Sequence, residues 1–184
     1  MRLITAFFLI LALGLSACSS TNTTKGSAMP QTLAAGTNGH FLHTVVTDAS
    51  KEEIWRLWTT PETWGKWDGG LKSARLDTTF EVGAKGKITD LDGRESTFTI
   101  TEVDTLNSYT FKTNLPLARL TIKRFFHTAN DGRTAFTHEV RFSGLLGGIF
   151  ARSFGPGFRA ELPPTMERLA QLATEGDTPN QSQN

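Results

Sequence analysis

The chain has 184 residues, with 19 Lys+Arg against 18 Asp+Glu, one Cys, four His, 13 Phe and four Trp. The length fits one domain with short extensions. A net charge near zero excludes a strongly basic nucleic-acid binder, and a single Cys excludes an internal disulfide and any multi-cysteine zinc site.

Met1-Arg2 is a short basic start, and Leu3 to Leu15 is apolar but for Thr5. Thirteen residues are too few to cross a hydrocarbon core, which needs ~20. The run has the length of a secretion-signal core. Leu15-Ser16-Ala17-Cys18 follows and resembles a bacterial lipoprotein lipobox. That resemblance implies removal of residues 1–17 and acylation of Cys18, and two or three acyl chains anchor a protein stably. The alternative is an ordinary secretory signal. By resemblance to Gram-negative sorting rules, Ser19 favours the outer membrane, facing the periplasm. Loss of residues 1–17 removes Arg2 and no acid, leaving 18 basic and 18 acidic residues.

Residues 18–39 then read as the lipidated Cys and a flexible Ser/Thr/Gly/Asn-rich linker. A domain is expected over 40–175, and a polar, disordered tail over 176–184. The β-branched run His40 to Asp48 predicts a strand. Ser50 with Glu53 has capping-box spacing, and Ile54, Leu57 and Trp58 share one helical face. Pro61 opens a second short helix that ends at Asp68-Gly69-Gly70. Strands follow at Leu71 to Phe80, Gly83 to Leu91, Arg94 to Val103, Asn107 to Leu115, Ala118 to Thr128 and Arg133 to Ser143. Gly147 to Phe158 is apolar and broken by Gly, and Pro163-Pro164 predicts a kink. A helix is expected over Thr165 to Thr174, with Met166, Leu169, Ala170 and Ala173 on one face.

This order and two stretches resemble a known superfamily. Ala49 to Trp55 with Thr60 to Asp68, and Thr137 to Leu146, are similar to the START/Bet v 1-like (SRPBCC) helix-grip superfamily, in its polyketide cyclase/dehydrase-like branch. The resemblance covers about 135 residues and implies an α+β fold. In it a curved antiparallel sheet of about six to seven strands wraps a long C-terminal helix, with two short helices after the first strand. The superfamily includes lipid carriers, hormone receptors, and polyketide aromatases and cyclases, so fold does not choose among them. A cavity between sheet and helix is the expected small-molecule site.

His138 shares a strand face with Phe136, Val140 and Phe142, which predicts an inward imidazole able to orient a ligand or move a proton. Arg124 alternates with Leu120, Ile122 and Phe126 and could hold a carboxylate or phosphate. These two are the catalytic candidates. Trp64, Trp67, Phe98, Tyr109, Phe126, Phe136 and His138 are the ligand-binding candidates. Each has a plain alternative: core packing for the rings, a hydrogen-bonded core imidazole for His138, and an ion pair or sheet edge for Arg124. Thr137, Glu139, Arg141 and Ser143 are expected on the solvated face, as is His127. The scattered His residues predict no metal site, no motif implies a cofactor, and no nucleophile elbow or phosphate loop is present.

The leading expectation is a membrane-tethered binding or carrier domain for a hydrophobic small molecule or lipid in the cell envelope. The alternatives are a polyketide cyclase/dehydratase-like enzyme acting in the same cavity, and an interaction protein with a filled interior. No nucleic-acid partner is expected.

Overall fold

The computed structural model describes residues 33–177. The leader, Cys18, most of the expected linker and residues 178–184 lie outside them. One antiparallel sheet carries eight strands: β1 (Ala35–Thr37), β2 (His40–Thr47), β3 (Leu71–Leu76), β4 (Lys85–Asp90), β5 (Glu95–Asp104), β6 (Ser108–Leu115), β7 (Ala118–Thr128) and β8 (Thr134–Ser143). Their spatial order is β1-β2-β8-β7-β6-β5-β4-β3. The chain therefore jumps from β2 to the far edge before β3. It makes that crossing with α1 (Lys51–Thr59), a 3-10 turn (Pro61–Thr63) and α2 (Trp64–Trp67). The last element, α3 (Gly147–Asp177), packs on β2, β8, β7, α1 and α2. This is the expected helix-grip arrangement, with one more strand than the sequence predicts. The added strand, β1, falls in the stretch assigned to the linker.

The α1 boundaries follow from its ends. Ser50 Oγ accepts from Glu53 N–H at 3.1 Å, the first half of a capping box. The second half is not made by Glu53, whose carboxylate turns to Arg56. Asp177 supplies it instead, accepting from Ser50 N at 2.5 Å and Ser50 Oγ at 2.7 Å. The end of α3 is thereby fastened to the start of α1. At the other end of α1 the last-turn carbonyls lack helical partners. Trp58 O accepts from Trp64 Nε1 at 3.0 Å, and Leu57 O from Thr63 Oγ1 at 3.1 Å.

The largest departure from expectation is α3. It runs 31 residues through Pro156, Pro163 and Pro164, where the sequence predicts a helix beginning at Thr165. Pro163 has no N–H, so it frees the carbonyl four residues back, that of Arg159. Ala34 N–H donates to that carbonyl at 3.3 Å. Arg159 returns the contact, donating from Nε and Nη2 to Ala34 O at 3.1 and 2.9 Å. The proline is tolerated because the start of the domain fills the gap it leaves.

Strand alternation also has one exception worth its cause. Phe98 and Ile100 point inward on β5, and strict period two would bring Glu102 in after them. A register shift between Ile100 and Glu102 inserts one residue, so Glu102 stays outside and accepts from Thr110 Oγ1 at 2.7 Å. β3 is shorter than expected, ending at Leu76.

Inside the curve, Phe98 lies over Gly86 of β4, its register partner. A Cβ at Gly86 would overlap the Phe98 ring and the Arg75 carbonyl. Gly86→Ala is expected to cost about 1–3 kcal/mol, seen as a melting temperature several degrees lower by circular dichroism. An unchanged melting temperature would show that the Phe98 ring is not held as described.

Candidate functional site

The inward residues of β5 to β8 meet the tryptophans of α1 and α2 at the centre of the grip. Arg124 of β7 and His138 of β8 are direct cross-strand partners, and Tyr109 of β6 is the partner of Arg124 on its other side. Each exposes no more than 2% of its surface. The two catalytic candidates are therefore neighbours inside the fold.

Arg124 is held mainly by ring faces. Its guanidinium carbon lies 4.8 Å from the ring centroids of both Trp64 and Trp67, 5.5 Å from Tyr109 and 5.6 Å from Phe111. Its Nη1 donates to the Tyr109 hydroxyl, which in turn donates to Trp58 O at 3.3 Å. Among the described residues no carboxylate makes an ion pair with it. Asp68, just after α2, is the acid whose field it feels. Burial raises the Asp68 pKa, and the Gly70 N–H, Arg124 and Arg168 pull it back. Burial likewise pushes the Tyr109 phenol up to about 12, against the opposing pull of Arg124.

His138 lies against Trp58 at 5.7 Å, Trp67 at 6.3 Å and Phe136 at 6.4 Å between ring centroids. Burial holds its pKa well below the usual imidazole value, helped by the positive fields of Arg124 and His43. It is a neutral imidazole at physiological pH.

Four buried nitrogens of this cluster make no hydrogen bond: Trp58 Nε1, Trp67 Nε1, Arg124 Nε and His138 Nε2. Three are obligate donors, and the fourth can donate or accept according to tautomer. Their residues adjoin: His138 lies against Trp58 and Trp67, and Arg124 against Trp67. The arrangement suits a group offering several acceptor lone pairs, such as a carboxylate or an enolate.

Aromatic rings fill the space between sheet and helix. Trp64 packs on Phe98 at 5.4 Å and Phe111 at 5.5 Å. Trp58 packs on Phe126 at 4.5 Å and Phe136 at 5.9 Å. Met166 and Leu169 of α3 close the cluster. Where the resemblance implies a cavity, these rings pack against one another. Two concavities of about 230 and 220 Å³ lie elsewhere. The first is on the polar outer face, at Glu102, Lys112, Lys123, Glu139 and Arg141. The second is near the β7–β8 turn, at Lys51, His127 and Arg133. Among the described residues no group of three His, Cys, Asp or Glu could hold a metal ion.

All seven ligand-binding candidates are buried, and the structure brings Trp64, Trp67, Tyr109 and His138 around Arg124. Phe126 is at the margin, its ring also 5.2 Å from Lys51 Nζ. Trp58 and Phe111 belong to the cluster as well. In the sequence Trp58, like the other tryptophans, reads as either cavity wall or core, and its helical spacing with Ile54 and Leu57 favours core. Thr137 departs from its expected solvated phase. It is buried, with its hydroxyl 2.7 Å from that of Thr44. His127 is exposed, as its strand phase implies.

Similarity to solved structures supports the fold. Protein NE0264 of Nitrosomonas europaea is 16% identical with a TM-score of 0.59, and the match covers 77% of this chain and 98% of that one. Hypothetical protein jhp0584 of Helicobacter pylori is 11% identical with a TM-score of 0.62, over 84% and 99%. DynU16, a putative protein of the dynemicin biosynthetic locus, is 17% identical with a TM-score of 0.58, over 75% and 48%. No curated protein matches the chain. The family described as polyketide cyclase/dehydrase and lipid transport matches residues 39–174. With its helix-grip sheet and that match over most of its length, the chain belongs to this family.

Proposed function

We propose that this domain binds a hydrophobic small molecule whose polar end carries a carboxylate, enolate or similar acceptor, and that Cys18 tethers it to a membrane of the cell envelope. Family and fold point to hydrophobic ligands. The observation that carries the finer reading is the cluster of four unpartnered nitrogens around Arg124 and His138. A buried polar group without a partner costs ~1–3 kcal/mol. A core that served packing alone would gain by replacing these residues with apolar ones, as buried charges often can be. A bound acceptor would turn each liability into a hydrogen bond.

The packed interior means that a ligand enters by displacing a wall, as in a cryptic pocket. The first half of α3 is the wall best placed to move, since its inward stripe is Gly147, Ala151 and Gly155 rather than large side chains. The filled interior also supports the rival reading, an envelope interaction protein that uses the fold without a ligand. The two differ in what Arg124 is for. If it serves ligand binding, Arg124→Met leaves the melting temperature unchanged or raises it by up to several degrees, because an unpaired buried charge is gone. Affinity for medium-chain fatty acids or aromatic carboxylates, read by isothermal titration calorimetry, should fall at least about tenfold, given ~1.5–3 kcal/mol for a charge-assisted hydrogen bond. A large drop in melting temperature, or no binding by the unmodified protein together with nothing co-purifying in native mass spectrometry, would favour the rival.

The neutral His138 beside a guanidinium supports a second reading, a cyclase/dehydratase-like enzyme in which His138 moves a proton and Arg124 steadies an enolate. It also sets a pH dependence. Above pH about 6.5, the ordinary imidazole value, His138 is neutral folded and unfolded. Below it the unfolded chain takes up a proton that the fold refuses, so stability falls as pH falls, by up to ~1.4 kcal/mol per unit. His43, its pKa lowered mainly by burial, adds in the same direction and remains in a His138 variant. His138→Leu is expected to flatten the decline in urea midpoint between pH 7.5 and 5 (a range chosen about the imidazole pKa of about 6.5). An unchanged slope would show that the imidazole is not kept neutral by the fold.

A further inference from the structure

The two halves of α3 have opposite polarity. From Leu162 onward it buries Leu162, Met166 and Leu169 and turns Glu167 and Glu175 outward. Its first three turns do the reverse. The residues they bury are Gly147, Ala151 and Gly155, at intervals of four. Of the large side chains, Phe150 packs against the core, while Ile149 is 55% exposed, Phe154 47% and Phe158 41%. Small residues are required inside because the β1–β2 turn lies against the helix. Asn38 stands where a Gly155 Cβ would be, and Gly39 is beside Ala151.

Two turns extend this apolar face. Leu145 is 83% exposed and Leu117 68%, and the hydrogen bond from Leu146 N to Leu117 O, 3.1 Å, joins their loops. Leu117 adopts φ +52°, a left-handed conformation that favours Gly or Asn, at a cost of ~1–2 kcal/mol. A bulky apolar side chain held at an exposed hairpin tip against that cost needs a reason outside the fold. The rings are also ordered by contacts, Phe154 on Phe150 at 6.0 Å and Phe158 on Phe142 at 6.1 Å.

Charge sorts along the helix in the same way. Between Gly144 and Ala160 the charged residues are Arg152 and Arg159, with no acid, and exposed Arg119 follows Leu117 by two. Arg159 is occupied by Ala34 O and Asn38 Oδ1, which leaves exposed Arg152 and Arg119 beside these apolar side chains, and exposed apolar residues with nearby arginines are what an anionic lipid interface attracts. Among the described residues no helix is long and apolar enough to cross a membrane, so the helix would lie on the surface.

The position of the chain's N-terminal side selects this occupant. Ala34 is bonded to Arg159, next to Phe158, so the chain leaves the fold at this face. Fourteen residues lie between Cys18 and Leu33, and even fully extended they reach no more than ~50 Å. We infer that the first three turns of α3, with Leu117 and Leu145, form a docking face for a bilayer surface containing anionic phospholipid. The inference rests on the reading of Cys18 as the lipid anchor.

The test uses the full chain processed from its own leader, carrying Phe154→Cys. With Cys18 acylated, the new thiol is the one free to react with an environment-sensitive fluorophore. The protein is reconstituted in phosphatidylcholine vesicles with and without phosphatidylglycerol. The label at position 154 should shift to the blue and be quenched by acyl-brominated lipid several-fold more than a label from Asn130→Cys, at the opposite end of the sheet. The difference should shrink when phosphatidylglycerol is omitted or Arg152→Glu is added. An acylated protein that stays with the vesicles while the label at 154 remains unquenched overturns the docking face and leaves the anchor standing. A blue shift that grows with protein concentration without lipid quenching also overturns it, assigning the face to a second copy of the chain. Intact mass reads the anchor separately, and an unacylated Cys18 overturns the anchor and the inference with it.

Discussion

A guanidinium sits at the centre of this fold without a carboxylate to pair with. Burying such a charge costs several kcal/mol even after relaxation. The π faces of Trp64, Trp67, Tyr109 and Phe111 and the Tyr109 hydroxyl return part of it, since a desolvated cation–π contact is worth ~2 kcal/mol or more. Those contacts constrain the rest of the domain. Tyr109 belongs to β6, Trp64 and Trp67 to α2, and His138 to β8, so one side chain of β7 draws on three other elements. The helical crossing between β2 and β3 brings Trp64 and Trp67 against that cation.

The same charge sets the chemistry nearby. It disfavours protonation of His138, opposes the upward push of burial on Tyr109, and draws Asp68 toward ionisation. Hydrogen bonding leaves the cluster incomplete. Trp58 O takes both the Trp64 indole and the Tyr109 hydroxyl, while the indole nitrogens of Trp58 and Trp67 have no acceptor. Buried polar groups left without partners break a local rule, and such failures concentrate where a protein gives up stability for function.

Much of this was legible in the sequence, for reasons that also mark where legibility stops. Period-two alternation put Arg124 with Phe126, and His138 with Phe136 and Val140, on inward faces. The turn at Asn130 to Gly132 even fixes their pairing, since a hairpin's loop sets its register. Alternation could not show that rings would fill the interior, because volume is a property of three elements at once. Nor could it show the bulge after Ile100, where one inserted residue reverses the phase and keeps Glu102 in solvent. Thr137 was misplaced for a related reason. Its face is the outer one, but the neighbouring Thr44 covers it.

The sequence misleads most at α3, and the cause is physical. Hydrophobic periodicity assumes that large apolar residues face in, and in Gly147 to Phe158 three of them, Ile149, Phe154 and Phe158, are exposed. The Gly and Ala stripe that does face in carries almost no hydrophobic signal, so the segment read as broken. Pro163 read as a stop because the partner for the carbonyl it frees comes from Ala34, more than a hundred residues away. That bond joins the two unusual features of the helix. It marks where the seal of large side chains gives way to a seal of small ones, and where the chain's N-terminal segment meets the fold. Small residues make few dispersion contacts, so this half of the wall separates at least cost. If the domain opens to admit a ligand, it opens beside the face that turns its phenylalanines outward.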